Sequence, residues 1–322
     1  MSPLQLDPAA LAKLPPGDLS ENIGHRVMNL AIAFLVLQSV FVVLFYISRY
    51  LNKMLNGWEC WLFMPLAYIF CTALCICGVL AVKIGGEGRH IAAVLLEDPN
   101  IVTNRIKIDK AVEYIDLAAI TSAKLAILCL YIRILSLWRS YRIAIYLTGT
   151  IIVLTWIAAI LLSTTICHPY SYQWDPTIEG GHCGDMIRAY QFICVPNILT
   201  DFIMLLIPLP AVYKLHVQLP AKIGIFATFL TGSVGIVTSV LRMLSFLNDA
   251  QLLNDLTYNS IPTFIFTIIE AGVYLIAACM LSLRPLKRHI FKDKSFTKWV
   301  GSYLDRFSRG SSQGSISFGG LK

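Results

Sequence analysis

VMNLAIAFLVLQSVFVVLFYI, residues 27–47, runs without a single charged side chain. At about 1.5 Å of rise per residue, a helix of this length crosses the roughly 30 Å hydrocarbon layer of a bilayer. Six further stretches are of comparable length and mostly apolar: Trp61–Val82, Ala111–Leu135, Ile143–Ile166, Ala189–Tyr213, Ile223–Phe246 and Ile261–Leu283. Backbone amides find no water inside lipid, so each stretch is expected to be helical. The absence of period-two alternation argues against a membrane barrel. Composition agrees, with 57% hydrophobic and 14% charged residues in a chain of 322; soluble domains carry about 25% charged residues. The expected fold is an all-α, polytopic bundle of seven transmembrane helices.

Lys and Arg set the orientation. With the N-terminus outside, about twice as many fall on the cytoplasmic side as on the opposite one. The densest group follows the last span, from Arg284 through Lys298. The net charge of +7 is therefore read as attraction to an anionic inner leaflet, with no nucleic-acid partner implied. Residues 1–26 read as a short disordered N-terminal segment without an apolar signal core, 27–283 as the membrane domain, and 284–322 as a basic cytoplasmic tail. Within the tail, Phe296, Trp299, Val300, Tyr303, Leu304 and Phe307 share one helical face, so an interfacial helix is expected near 295–308. The plasma membrane is the expected location.

Ionisable residues inside spans are costly to bury and mark functional candidates. Counted from outside, Lys124 lies roughly 20 Å into the third span and Asp201 roughly 18 Å into the fifth. Matching depth and opposite charge predict that they interact. Asn197 sits one turn above Asp201, and Pro196 leaves a carbonyl one turn earlier without its donor. A second group is expected nearer the outside, with Arg242, Glu270 and Asp116 about 6, 14 and 8 Å deep. Each group has a plainer reading as an ion pair that fixes helix register and binds nothing.

The second external loop, Cys167-His168-Pro169-Tyr170-Ser171-Tyr172-Gln173-Trp174-Asp175 running on to His182-Cys183, faces an oxidising compartment. A Cys167–Cys183 disulfide is the natural reading there, and zinc ligation by Cys167, His168, His182 and Cys183 is the lesser alternative. The disulfide would hold Tyr170, Tyr172 and Trp174 as a lid over the bundle mouth. No metal site is expected. Gly85-Gly86-Glu87-Gly88 lacks the strand and the third spaced glycine of a phosphate cradle, and neither H-E-x-x-H nor G-x-S-x-G occurs, so no enzyme is expected. A retinal Schiff base would require a lysine in the last span. Ile261–Leu283 has none, so no cofactor is expected.

In order along residues 25–290, several short motifs resemble the fungal rhodopsin-domain family of seven-span membrane proteins. They are Gly-Gly-Glu-Gly-Arg-His (85–90), Lys124 with Tyr131-Ile132-Arg133, Cys167-x-Pro169 with Trp174 and Cys183, Asn197-x-x-x-Asp201 with Pro208-Leu209-Pro210, then Arg242, Glu270 and Leu283-Arg284-Pro285. The family often shows paired acids at the start of the second span, where this chain has Trp58-Glu59-Cys60. The resemblance implies a fungal source and a receptor-like protein. An external small-molecule ligand and a cytoplasmic G protein are the expected partners. Family members also occur in fungal secondary-metabolite gene clusters, which keeps a small-molecule transporter, exporter or membrane accessory as the alternative. No internal repeat supports transport.

Overall fold

The computed structural model describes residues 21–51, 53, 57–98, 100–135, 139–175, 177–209, 229, 232–241, 243–244 and 256–283. Helix α1 spans Gly24–Leu51. A π-helical turn, Glu59–Phe63, leads into α2, Met64–Ile84; Pro65 near its start offers no amide to the turn before it, and the Cys60 carbonyl there accepts instead from the Tyr46 hydroxyl at 2.9 Å. Then come α3 (Ile91–Glu97), α4 (Asn100–Leu135) and α5 (Arg139–Thr165). A two-stranded ladder pairs β1 (Cys167–His168) with β2 (His182–Cys183). Helix α6 is Met186–Leu206, its N-terminus capped by the Asp185 side chain accepting from the Arg188 amide. The helical segment Gly232–Leu241 is α7, and α8 (Leu256–Asn259) precedes α9 (Ile261–Ser282).

Among the described residues, five helices are long and apolar enough to cross a membrane: Gly24–Leu51, Glu59–Ile84, Asn100–Arg133, Arg139–Thr165 and Thr257–Ser282. This is a multi-pass, all-α membrane protein. The fifth and sixth expected spans correspond to shorter apolar helices, Gln191–Leu206 and Gly232–Leu241. Arg242, the tail and its expected helix near 295–308 lie outside the described residues.

Two boundaries differ from the sequence reading. The third span is expected from Ala111, yet α4 begins at Asn100. Asp98 accepts from the Asn100 amide at 2.9 Å, and a buried ion pair fixes the extra turns, as described below. The chain is also ordered before Val27: Asn22 bridges Arg89 in antiparallel fashion, and α1 starts at Gly24. Gly88, at φ 91°, is required there, because a Cβ would collide with the Gly24 backbone nitrogen.

Outward faces are apolar and polar side chains turn inward, the reverse of a soluble protein. On α5, Leu147, Leu154 and Leu161 repeat every seven residues and are about 60% exposed, as a lipid-facing stripe should be. Between lipid-bathed helices, association rests on close packing and hydrogen bonds rather than on expulsion of water. Ala271, Ala277 and Ala278 give α9 a small-residue surface. Gln38 of α1 donates to Thr72 of α2 at 3.2 Å, and Ser48 of α1 donates to the Ser282 carbonyl of α9 at 2.8 Å.

Candidate functional site

Asn197, Thr200 and Asp201 occupy one face of α6 at i, i+3 and i+4. Facing them, Lys124 of α4 is 1% exposed. Its Nζ donates to Asn197 Oδ1 at 2.7 Å, to the Asn197 carbonyl at 3.3 Å and to Thr200 Oγ1 at 3.3 Å, and it is ion-paired with Asp201 Oδ1. The ammonium also sits 5.3 Å from the centre of the Tyr274 ring on α9, within cation–π range. A buried lysine needs a full set of acceptors. Here one face of one helix supplies most of them.

Glu270 of α9 belongs to the same group. Asn197 Nδ2 donates to its Oε1 at 3.2 Å. Ser239 of α7 donates to the same oxygen at 2.7 Å and lies 3.3 Å from Asp201 Oδ2. Glu270, expected in the second group, is therefore joined to the Lys124 group around Asn197 and Ser239. Four helices, α4, α6, α7 and α9, meet in this hub. Asp116 is buried on α4 two turns before Lys124, and Arg242, expected in the same group, lies outside the described residues.

Beside the hub, between α4, α5 and α6, lies a cavity of about 50 Å³. Leu117, Ile120, Ile152 and Ile193 form apolar walls, while Lys124, Thr155 and Asn197 bring polar groups. Trp156 also lines it, and its buried indole N–H has no hydrogen-bond partner among the described residues. Ile193 is shared with a smaller space of about 10 Å³ lined by Lys110, Glu113 and Ser163. Both spaces lie along the packing of α4, α5 and α6.

The loop between α5 and α6 lies against α4 and the end of α5. Cys167 and Cys183 face each other across the ladder and form the expected disulfide. Gln173 Nε2 donates to the Ser163 carbonyl at 3.1 Å, beside the smaller space. The Tyr170 and Tyr114 hydroxyls are 3.2 Å apart, which ties the loop to α4, and Tyr170 packs edge-on against Trp174. Tyr172 is partly buried, and Gly181 is needed beside it, since a Cβ there would run into its ring. Opening the disulfide frees a loop with a sequence separation of 16. Cys167→Ser is expected to cost about 3 kcal/mol by loop entropy, read as a lower melting temperature that wild-type protein reproduces under reducing conditions.

Two buried charge clusters were not legible in the sequence. At the outer end Glu87, 0% exposed, lies 2.7 Å from Arg105 Nε and accepts from Ser260 Oγ. Arg105 Nη2 reaches Ser260 Oγ at 2.9 Å and Asp109 at 3.4 Å. Burial pushes the Glu87 carboxyl up to about 7, outweighing the guanidinium beside it. At the inner end Glu59 meets Arg133 and Arg49. Glycines of positive φ on both sides of Glu87, Gly86 and Gly88, were the available sign of a tightly built turn.

The lysine on this interior is Lys124 of α4, already committed to Asp201 and Asn197, and α9 carries no lysine. The residues do not fit a retinal Schiff base in the last span.

Comparison with known proteins places these features in one group. A protein of Metarhizium anisopliae described as "Polyenoic acids biosynthesis gene cluster protein Ba17b" is 33% identical over 220 residues, 65% of this chain and 59% of the relative. A "SAT4 family membrane protein" of Emericella nidulans is 27% identical over 208 residues, covering 64% and 51%. "Receptor GIN3" of Arthrobotrys oligospora is 25% identical over 166 residues, covering 52% and 40%. The chain thus matches only 40–59% of the length of these three relatives. No solved structure matches. The family model for the fungal rhodopsin domain covers residues 44–289, from the later part of α1 past the end of α9, and the chain belongs to that family.

Proposed function

We propose that this protein is a seven-span, receptor-like sensor of an external small molecule, with its N-terminus outside and its C-terminus in the cytosol, in the plasma membrane. The observation that carries the reading is the Lys124 hub. A ligand reaching the cavity beside it touches Lys124 and Asn197, and through them Asp201 on α6 and Ser239 and Glu270 on two further helices. The disulfide-held loop bounds the entry. A change at the hub alters how α6 and α7 sit against α4 and α9, and the basic cytoplasmic face passes the change to a G protein. The work is binding and transmission, with no catalysis and no cofactor. A relative named as a receptor supports this reading.

Gene-cluster relatives, including a "Wortmanamides biosynthesis cluster protein C" of Talaromyces wortmannii, favour a second reading. There the protein accompanies secondary-metabolite production as a transporter or membrane accessory. Co-purification of the solubilised protein with Gα subunits of a fungal host separates the two. Receptor behaviour predicts a complex that dissolves on adding a non-hydrolysable GTP analogue. Folded protein that captures no Gα, in a host whose metabolite export falls on deletion, would favour the second.

A further inference from the structure

Among the described residues, the Glu59 cluster has two cations for one anion. Arg49 lies in the last turn of α1, Glu59 opens the π-turn before α2, and Arg133 lies in the last turn of α4. A single carboxylate oxygen, Glu59 Oε1, receives both guanidinium groups, Arg133 Nη1 at 2.8 Å and Arg49 Nη2 at 3.4 Å. Arg49 is 5% exposed, and its Nε is buried with no hydrogen-bond partner among the described residues. The Phe45 ring, 5.5 Å from Cζ, and the Cys60 thiol stand nearby, and neither brings a full counter-charge. The Arg133 side chain remains 34% exposed. Two guanidiniums therefore share one carboxylate, one of them desolvated and the other reachable from outside the bundle. A desolvated cation short of a counter-charge is costly, and an arriving anion relieves that cost.

The surroundings say which anion. Tyr50, Trp58 and Trp61 stand beside the cluster, each more than 70% exposed. Amphipathic aromatics outside the packed bundle collect at headgroup depth. Phosphate is the anion present at that depth, and the fork of a guanidinium matches its oxygens.

We propose that Arg49 and Arg133 form a binding site for the phosphate of an anionic phospholipid headgroup, with Trp58 and Trp61 packing against the lipid and Glu59 competing for the same guanidiniums. Assigning the site to the inner leaflet rests on the N-out orientation above; the site itself does not. Occupancy draws Arg133 away from Glu59 and loosens the α2–α4 junction, so the lipid charge of the membrane sets the ease with which the inner end opens.

The test uses the full chain in symmetric nanodiscs of phosphatidylcholine alone, or with phosphatidylserine or phosphatidylinositol 4-phosphate, and reads bound lipid by native mass spectrometry after release. Both leaflets then carry the lipid, so neither a reversed orientation nor failure to bind Gα affects the result. The expected outcome is about 10-fold preference for the anionic lipids, lost in Arg133→Gln. Glu59→Gln is expected to strengthen binding several-fold by removing the competitor, a change that a purely structural role would not produce. Equal retention of phosphatidylcholine, or weaker binding in Glu59→Gln, overturns the proposal. Inositol trisphosphate or inorganic phosphate binding as tightly in detergent, with the same variant pattern, would make it a site for soluble phosphate and overturn the lipid assignment.

Discussion

Replacing Lys124 with methionine should destabilise the detergent-solubilised protein by about 3–5 kcal/mol, because it leaves Asp201 buried without its cation. Methionine fills much of the same volume, so the loss comes from charge rather than from a cavity. Asp201 is 3% exposed, and among the described residues the remaining polar neighbour at its carboxylate is Ser239, at 3.3 Å. Asp201→Asn should cost a similar amount by stranding the ammonium. Lys124→Met combined with Asp201→Asn should recover most of the loss, since both charges leave together. Denaturant-induced unfolding, followed by tryptophan fluorescence, measures all three. Equal stability of wild type and Lys124→Met would mean that the pair is solvated and the hub is not the core described here. Exchanging the charges, Lys124→Asp with Asp201→Lys, separates architecture from signalling: a receptor should fold and lose its Gα response, whereas an unchanged response makes the pair structural.

At the Glu87 cluster, Arg105→Met should cost most near pH 8, about 1–2 kcal/mol, where the carboxyl is charged beside the guanidinium, and least near pH 5, where it is already protonated. Glu87 is fully buried, and Arg105 is the cation that meets it. A pH dependence follows from the same contact. The folded carboxyl titrates near 7 against an ordinary value of 4.5, so the native state takes up a proton before the unfolded chain does. Stability linked to Glu87 is therefore fully present below about pH 4.5 and is lost as pH rises through about 7. Acidifying from pH 8 to 5 should raise the stability of the wild type by about 2 kcal/mol more than that of Glu87→Gln, since each tenfold gain in proton affinity is worth about 1.4 kcal/mol. Melting curves of both proteins across that range test the difference; superimposable slopes would reject it.

Hydropathy carried most of the fold, because lipid imposes length and apolarity on each span independently of its neighbours. Lys124 and Asp201 were legible for a related reason: depth along a helix converts to distance, so two buried charges of opposite sign at one depth have few other partners. Glu270 was harder to place. Depth gives height and no azimuth, and it is Asn197 and Ser239 that bring Glu270 beside Asp201. Glu87 and Arg105 could not be paired from sequence, since the segment between them reads as a loop and Ser260 is 155 residues from Arg105. Glu59 and Arg133, 74 residues apart, are hidden similarly, because nothing in the local sequence around Glu59 points to a basic partner on another helix.

The two peripheral clusters have a mechanical consequence. Glu87, Arg105 and Ser260 tie the outer ends of α2, α4 and α9 together, and Asn22 at the foot of α1 joins them through Arg89. Arg49, Glu59 and Arg133 bind the inner ends of α1, α2 and α4, while Ser48 and Ser282 fasten α1 to α9. Those four helices are clamped at top and bottom and behave as a stator. Among the described polar contacts, α6 and α7 meet that frame through Lys124, Ser239 and Glu270. Under the receptor reading proposed above, an arm held at that contact would pivot there, turning a small displacement at the disulfide-loop end into an opposite swing at the other end.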